Sequence, residues 1–228
     1  MPEFSPHLEI LPPAQLRLWP ELSEIPRDFV LCGGTALALH LAHRHSADFV
    51  FFSNAKFDVR GLETGIGFLA GAQILQRAEN TLTAIIERGG PVKVSFFGVP
   101  ELQRLRPPHV AKANGLQVAS LLDLAGTKAS VVQVRAAARD YIDIDALMSL
   151  GKISLATALS AAGAIYGPSF NAQITLKALS YFDDGDLRTL PEAMKHRLVL
   201  AARAVDLDHL PTVEQVSPGA DRVLGYDP

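Results

Sequence analysis

The sequence predicts an α+β fold: a mixed sheet with flanking helices in the first half, followed by a helical C-terminal domain. Three observations predict it. Short strand-like runs at 28–32, 48–53, 72–78, 81–87 and 92–97 all fall before residue 100, with 48–53 aromatic and β-branched and 81–87 β-branched. A Gly33-Gly34 pair separates the first run from a stretch of helical periodicity. From Ser120 onward, apolar residues recur at helical spacing. The composition shift places an α/β domain at 1–115 and a helical domain at 116–228.

The elements follow in order. Residues 13–22 read as a short helix bracketed by Pro12, Pro20 and Pro26. The apolar run 28–32 stops at the glycine pair and reads as a buried strand. Residues 35–43 read as a helix with Thr35 as its N-cap. Residues 48–53 are aromatic and β-branched, hence a strand, and 57–70 carry Leu62, Ile66 and Leu69 at helical intervals. Gly89-Gly90-Pro91 is a turn that joins 81–87 to 92–97 as an antiparallel pair. In 92–97, Val92, Val94 and Phe96 face one way and Lys93, Ser95 and Phe97 the other. Residues 101–114 read as a surface connection. Helices are predicted at 120–134, 136–150, 154–166, 174–181 and 191–204, and Ser120 with Asp123 makes a capping-box-like start. The tail 211–228 is expected to wrap or fray.

Composition excludes several classes. Twenty-four acidic residues against 21 Lys and Arg give a net charge of −3, so no whole-chain nucleic-acid footprint exists. A local basic patch could still form, for example around Arg104 and Arg106. The single Cys32 cannot form an internal disulfide, which fits a reducing compartment, and its apolar neighbours mark it as a small buried hydrophobe. No apolar run approaches the roughly 20 residues a bilayer requires. The first residues lack a basic segment followed by an apolar one. A cytoplasmic protein without a membrane partner is expected.

The unit strand, Gly33-Gly34, helix, Asp48 can carry chemistry. Glycines at a strand-to-helix turn let the backbone approach a ligand, and a helix N-terminus offers unpaired N–H groups to phosphate. A carboxylate on the next strand can hold a divalent metal against the same phosphates. The plainer readings are a tight turn at the glycines and an ion pair from Asp48 to Arg44 or His45. His40, His43 and His45 lack the cysteine or acidic neighbours that a zinc site needs.

The run from Gly33-Gly34-Thr35 through Arg44, Ser46 and Asp48 to Phe51-Phe52 resembles the opening motif of the AbiEii/AbiGii toxin family of nucleotidyltransferases. That family shows Gly-Gly-Thr/Ser, a helix, then Arg-x-Ser/Thr-x-Asp-x-Asp. Asp123 to Lys128 and Arg139-Asp140 to Asp143 are similar to its helical Lys and Arg-Asp-x-x-Asp motifs. Segments 179–184 and 191–194 are similar to its C-terminal part. The resemblance spans roughly 25–205. It implies a polymerase-β-like transferase domain, an NTP as substrate or ligand, Mg²⁺, a tRNA or protein acceptor, and an antitoxin protein as partner. It implies Asp48 as metal ligand, with Gly33, Gly34, Thr35, Arg44 and Ser46 around the nucleotide. Lys128 would contact phosphate, and Asp140 or Asp143 would complete the catalytic set.

The sequence departs from the family where the metal should sit. Val50 replaces the second Asp of Asp-x-Asp, and i and i+2 of a strand share a face. Ser95 stands where a later strand would supply the third carboxylate. Three readings stay open: an active or weakly active transferase, a non-catalytic descendant that binds a nucleotide or a partner, and a nucleic-acid-binding regulator, against which the absence of a basic stripe counts. Lys128 could equally be a solvated helix residue, and Arg139, Asp140 and Asp143 a helix-start charge cluster.

Overall fold

The computed structural model describes residues 3–214. Most of the tail at 211–228 lies outside the described residues. Eight strands, eight α-helices and five short 3-10 helices are seen among the described residues. The strands are β1 (Glu3–Phe4), β2 (Val30–Cys32), β3 (Asp48–Ser53), β4 (Gln73–Ala78), β5 (Thr81–Glu87), β6 (Pro91–Gly98), β7 (His109–Ala111) and β8 (Gln117–Val118). The helices are α1 (Pro13–Leu18), α2 (Gly33–Leu41), α3 (Val59–Gly65), α4 (Leu121–Val131), α5 (Ala138–Ser149), α6 (Leu155–Tyr166), α7 (Ala172–Ala178) and α8 (Glu192–Arg203).

The strands form one mixed sheet in the order β1-β7-β8-β2-β3-β6-β5-β4. β3 alternates as its sequence demands. Phe49, Phe51 and Ser53 are buried, while Asp48, Val50 and Phe52 are half-buried on the other face. β6 runs parallel to β3 and sends Val92, Val94 and Phe96 into the core, where Phe96 stacks on Phe51 with centroids 5.2 Å apart. β5 pairs antiparallel with β6 across the expected Gly89-Gly90 turn. β4 is the exposed edge. It carries a bulge near Leu75, and Arg77 is held by Glu63, both features that discourage edge-to-edge pairing.

Several sequence expectations shift. The helix predicted at 13–22 is α1 followed by a 3-10 turn at Trp19–Glu24, because Pro20 lacks the N–H an α-helix needs there. The helix predicted at 57–70 is α3 plus a 3-10 turn at Gly67–Leu69. β1, β7 and β8 have two or three residues each, too few to show a period, and β7 lies inside the predicted connection. α2 begins at Gly33 with Cys32 as N-cap, so Thr35 is not the cap but an interior residue of the first turn.

One hydrophobic core runs through both halves of the chain, joining Leu37 and Phe49 to Leu124, Tyr141 and Leu198. α4 crosses α6 closely at Gly126. A Cβ there would lie 2.9 Å from the backbone of Ala161 and Ala162 and 2.8 Å from Ile165 Cδ1. The α4 start is as predicted: Ser120 Oγ accepts from the Asp123 amide at 3.1 Å. The Asp123 carboxylate also accepts from the Leu105 and Arg106 amides, tying the 101–108 connection to the helix. No helix among the described residues is long and apolar enough to cross a membrane.

Candidate functional site

Gly33 needs its glycine, since its φ is +73° and the Val50 side chain abuts it. The turn sends the chain into α2 with no side-chain cap on its N-terminus. The first N–H groups of that helix therefore lack a capping side chain. Thr35 ties the first turn to the next strand by donating from Oγ1 to the Asp48 carbonyl at 2.6 Å. Its side chain is fully buried, so its hydroxyl serves the fold. At Gly34 a Cβ would sit 2.7 Å from Arg44 Nη2 and 2.9 Å from Ser46 Oγ. The missing side chain is what lets Arg44 and Ser46 close over the turn.

Arg44 is fixed from behind. Its Nε and Nη2 donate to the two oxygens of Asp143 at 2.7 and 2.8 Å, a bidentate pair. His43 Nε2 reaches Asp143 Oδ1 at 2.8 Å. Lys128 Nζ lies 2.6 Å from Asp143 Oδ2 and 2.7 Å from Asp140 Oδ1. Arg135 closes the far end with a second bidentate pair on Asp140, at 2.7 and 3.0 Å. Both carboxylates are fully buried and Lys128 is 5% exposed. Burial opposes the charge on Asp143, but the His43 and Arg44 hydrogen bonds and the Lys128 charge outweigh it and hold the group below the usual carboxylate range. Asp140 is likewise lowered against its burial, by Arg135 and Lys128.

The structure thus brings Arg44, Lys128, Asp140 and Asp143 into one cluster. Lys128 is not a solvated helix residue, because its ammonium is taken up by the two carboxylates. The cluster is more than a helix-start charge group, since it ties α4 and α5 to the loop after α2. Two members escaped the sequence reading. His43 was weighed only as a metal ligand, and Arg135 lies five residues before the Asp it serves. Arg139, the motif neighbour of Asp140, is exposed. The three histidines diverge: His40 bonds the Ala119 carbonyl, His43 Asp143, and His45 the Ile10 carbonyl.

Asp48 stands apart from the cluster. Arg44 and His45, its expected surface partners, are engaged elsewhere, and the Asp48 carboxylate has no hydrogen-bond or ion-pair partner among the described residues. Across β3 and β6 the register places Lys93 beside Asp48, Ser95 beside Val50 and Phe97 beside Phe52. The register thus makes Ser95 the direct neighbour of Val50, a pairing that strand alternation alone does not fix. Ser95 is buried and accepts a hydrogen bond from Thr83 Oγ1 at 3.2 Å.

This donor set does not fit Mg²⁺. The ion demands oxygen ligands in near-octahedral array, with carboxylates as its protein anchors. Asp48 offers one carboxylate, Val50 offers no oxygen, and the Ser95 hydroxyl is engaged with Thr83. No group of three His, Cys, Asp or Glu able to hold a metal occurs among the described residues.

The neighbouring features are structural. Arg104 donates to the Phe52 carbonyl at 3.2 Å, and Arg106 to the carbonyls of Leu105 and Glu214, so the basic patch considered there is spent on backbone. Cys32 lines a small apolar cavity with Val30, Phe52 and Leu124. Burial pushes its thiol up to about 12, which makes it a poor nucleophile.

Comparison with known proteins bears on family and fold. The sequence model of the family described as nucleotidyl transferase AbiEii toxin, type IV TA system, matches residues 17–217. An uncharacterised protein of Aquifex aeolicus (strain VF5) is 30% identical over 162 residues, which is 70% of this chain and 76% of the relative. Among solved structures, the nucleotidyltransferase toxin MenT4 of Mycobacterium tuberculosis H37Rv matches with a TM-score of 0.55 at 17% identity, covering 86% of this chain and 83% of its own. A candidate nucleotidyltransferase from H. pylori matches with a TM-score of 0.52 at 16% identity, covering 83% and 92%. These two share the nucleotidyltransferase fold, and the chain belongs to the AbiEii family of nucleotidyltransferase toxins.

Proposed function

We propose that the chain binds the phosphates of a nucleoside triphosphate at the N-terminus of α2, and that nucleotidyl transfer by two metals is impaired in it. The observation that carries this reading is the uncapped first turn of α2 with Arg44 held over Gly34 by Asp143. Unpaired N–H groups, the helix dipole and a guanidinium all favour a phosphate there. The hydroxyl of Ser46, beside Gly34, adds a donor. Lys128, Asp140 and Asp143 act as positioning residues in this reading, because their charges are satisfied by one another and by Arg44. Asp48 is the carboxylate left to face a ligand.

Impairment follows from the donor set. Transfer would join an acceptor oxygen to the α-phosphorus and release pyrophosphate, and the charge developing there needs electrostatic stabilisation. Val50 and Ser95 supply no anchor for the ions that would provide it. The acceptor, tRNA or protein, and an antitoxin protein as partner are carried by the family relationship alone.

The test is transfer of label from an α-labelled NTP onto tRNA or protein, run beside calorimetric NTP binding. The reading expects binding, with little transfer that responds to Mg²⁺. Brisk Mg²⁺-dependent transfer that Asp48→Ala abolishes would overturn the impairment. Absence of NTP binding under all conditions would overturn the site.

A further inference from the structure

We propose that Lys93 takes the place of the missing metal, so that the phosphates are held by a side-chain ammonium and binding needs no divalent ion. The inference rests on the nucleotide-binding reading above and names how that site neutralises its ligand.

Four observations carry it. Lys93 is the β6 residue directly beside Asp48 in the β3–β6 register, and alternation puts the two side chains on one face. That face holds Val50 and Ser95 one step further along, at the positions where carboxylates are lost. Lys93 is half-buried and has no hydrogen-bond or ion-pair partner among the described residues, although Asp48 is its neighbour. On its other side β5 presents Ile85, which offers no charge. A half-buried ammonium without a partner is poorly compensated, and an anionic ligand would supply what the protein does not.

The two changes reinforce each other. Carboxylates bind phosphate only through an intervening cation; without one they repel it. Replacing them with Val50 and Ser95 removes the repulsion. An ammonium on the same face then supplies the attraction directly. The remaining carboxylate, Asp48, can orient Lys93 or receive a ligand hydroxyl without cancelling the neighbouring Arg44, whose charge is held by Asp143.

The test measures binding of ATP, GTP, CTP and UTP by calorimetry in EDTA, and again with Mg²⁺, for the natural chain, Lys93→Ala and Lys93→Arg. The expected result is binding in EDTA that weakens at least tenfold in Lys93→Ala and stays within a few-fold in Lys93→Arg. Affinity for the unphosphorylated nucleoside and the urea midpoint should not move, which a merely structural role for Lys93 would not predict. If the natural chain binds only with Mg²⁺, or Lys93→Ala binds NTP in EDTA as the natural chain does, the Lys93 inference is overturned and the nucleotide site stands. If the natural chain binds no NTP in either condition, the site itself is overturned, and the inference with it.

Discussion

Two charged regions meet near Arg44, which bonds Asp143 of one and lies four residues before Asp48 of the other, and they are built in opposite ways. In the cluster of Lys128, Asp140 and Asp143, every carboxylate oxygen meets a cation and both carboxylates are fully buried. On the sheet face, Asp48 and Lys93 are half-buried and unpartnered among the described residues. Buried charges that satisfy each other set geometry, and their cost is recovered only as a set. Partly exposed charges that satisfy nothing are available to a ligand. In the proposed reading, the helical motif positions Arg44 and the sheet face meets the ligand.

The largest expected effect tests that division. Asp143→Ala leaves Arg44 and His43 facing no carboxylate and Lys128 with Asp140 alone, and breaking a buried pair this way costs about 3–5 kcal/mol. Asp48→Ala removes a half-buried group with no partner, which places it within about 0.5 kcal/mol of the natural chain. Urea unfolding of the two variants reads the difference. Equal losses would erase the distinction between the regions. Acid should act on the cluster in the same sense. The folded-state values of Asp140 and Asp143 lie below the ordinary carboxylate value. Their contribution is therefore present above about pH 4 and lost as pH falls through the folded range.

A second effect of nearly that size lies outside both regions and gives the control. His40 donates to the Ala119 carbonyl and packs between Phe4 and His109, with centroids 4.3 and 5.3 Å away. Burial lowers its pKa to about 4. An unfolded histidine titrates near 6.5, so between those values the unfolded chain binds a proton the folded chain refuses. Stability is complete above about pH 6.5 and falls by up to about 3 kcal/mol as pH drops toward 4. Unfolding midpoints measured from pH 7 to 4.5 should show this slope, and His40→Phe should flatten it. An unchanged slope in the variant would assign the titration elsewhere. Because this window lies above that of the carboxylates, the two contributions separate along the pH axis.

Gly126→Ala comes next, at about 1–3 kcal/mol, the usual cost of overpacking. The added methyl would meet the α6 backbone, which cannot rotate away as a side-chain tip can. Thermal unfolding checks it, and a neutral result would mean that α4 and α6 separate readily. Gly126 lies in the Asp123 to Lys128 motif, so the motif divides physically. Asp123 ties down the 101–108 connection, Gly126 admits α6, and Lys128 joins the ion cluster.

Much of this was legible in the sequence. The long strands and the α4 cap follow from period-two alternation and capping chemistry, which act locally, whereas the pairing of Val50 with Ser95 comes from the β3–β6 register. Three short strands escaped because two or three residues have no period, and their pairing is set by tertiary contacts. The site was legible only by residue type. Nothing local tells that Arg44 bonds Asp143, a residue 99 positions away, instead of Asp48 four positions away. The bidentate geometry on a buried carboxylate wins that competition. Nor does sequence tell that Asp140 takes Arg135 over Arg139. Adjacent residues of a helix diverge by about 100°, and Arg139 falls on the exposed side.

The smallest effect sharpens the comparison most directly, because it alters the open face alone. Val50→Asp puts a second carboxylate on the Asp48 face, two residues along β3, with Ser95 beside it. Val50 is half-buried, so the change should cost about 1 kcal/mol or less without metal. The pair should then hold Mg²⁺. A ligand present at ten times its Kd stabilises the folded state by about 1.4 kcal/mol. The unfolding midpoint of Val50→Asp should therefore rise with millimolar Mg²⁺ while that of the natural chain stays fixed. Equal responses would show that a lone strand carboxylate is not what limits the metal. A rise confined to the variant would place the defect at residue 50, and adding Lys93→Ala should then leave NTP binding dependent on the ion.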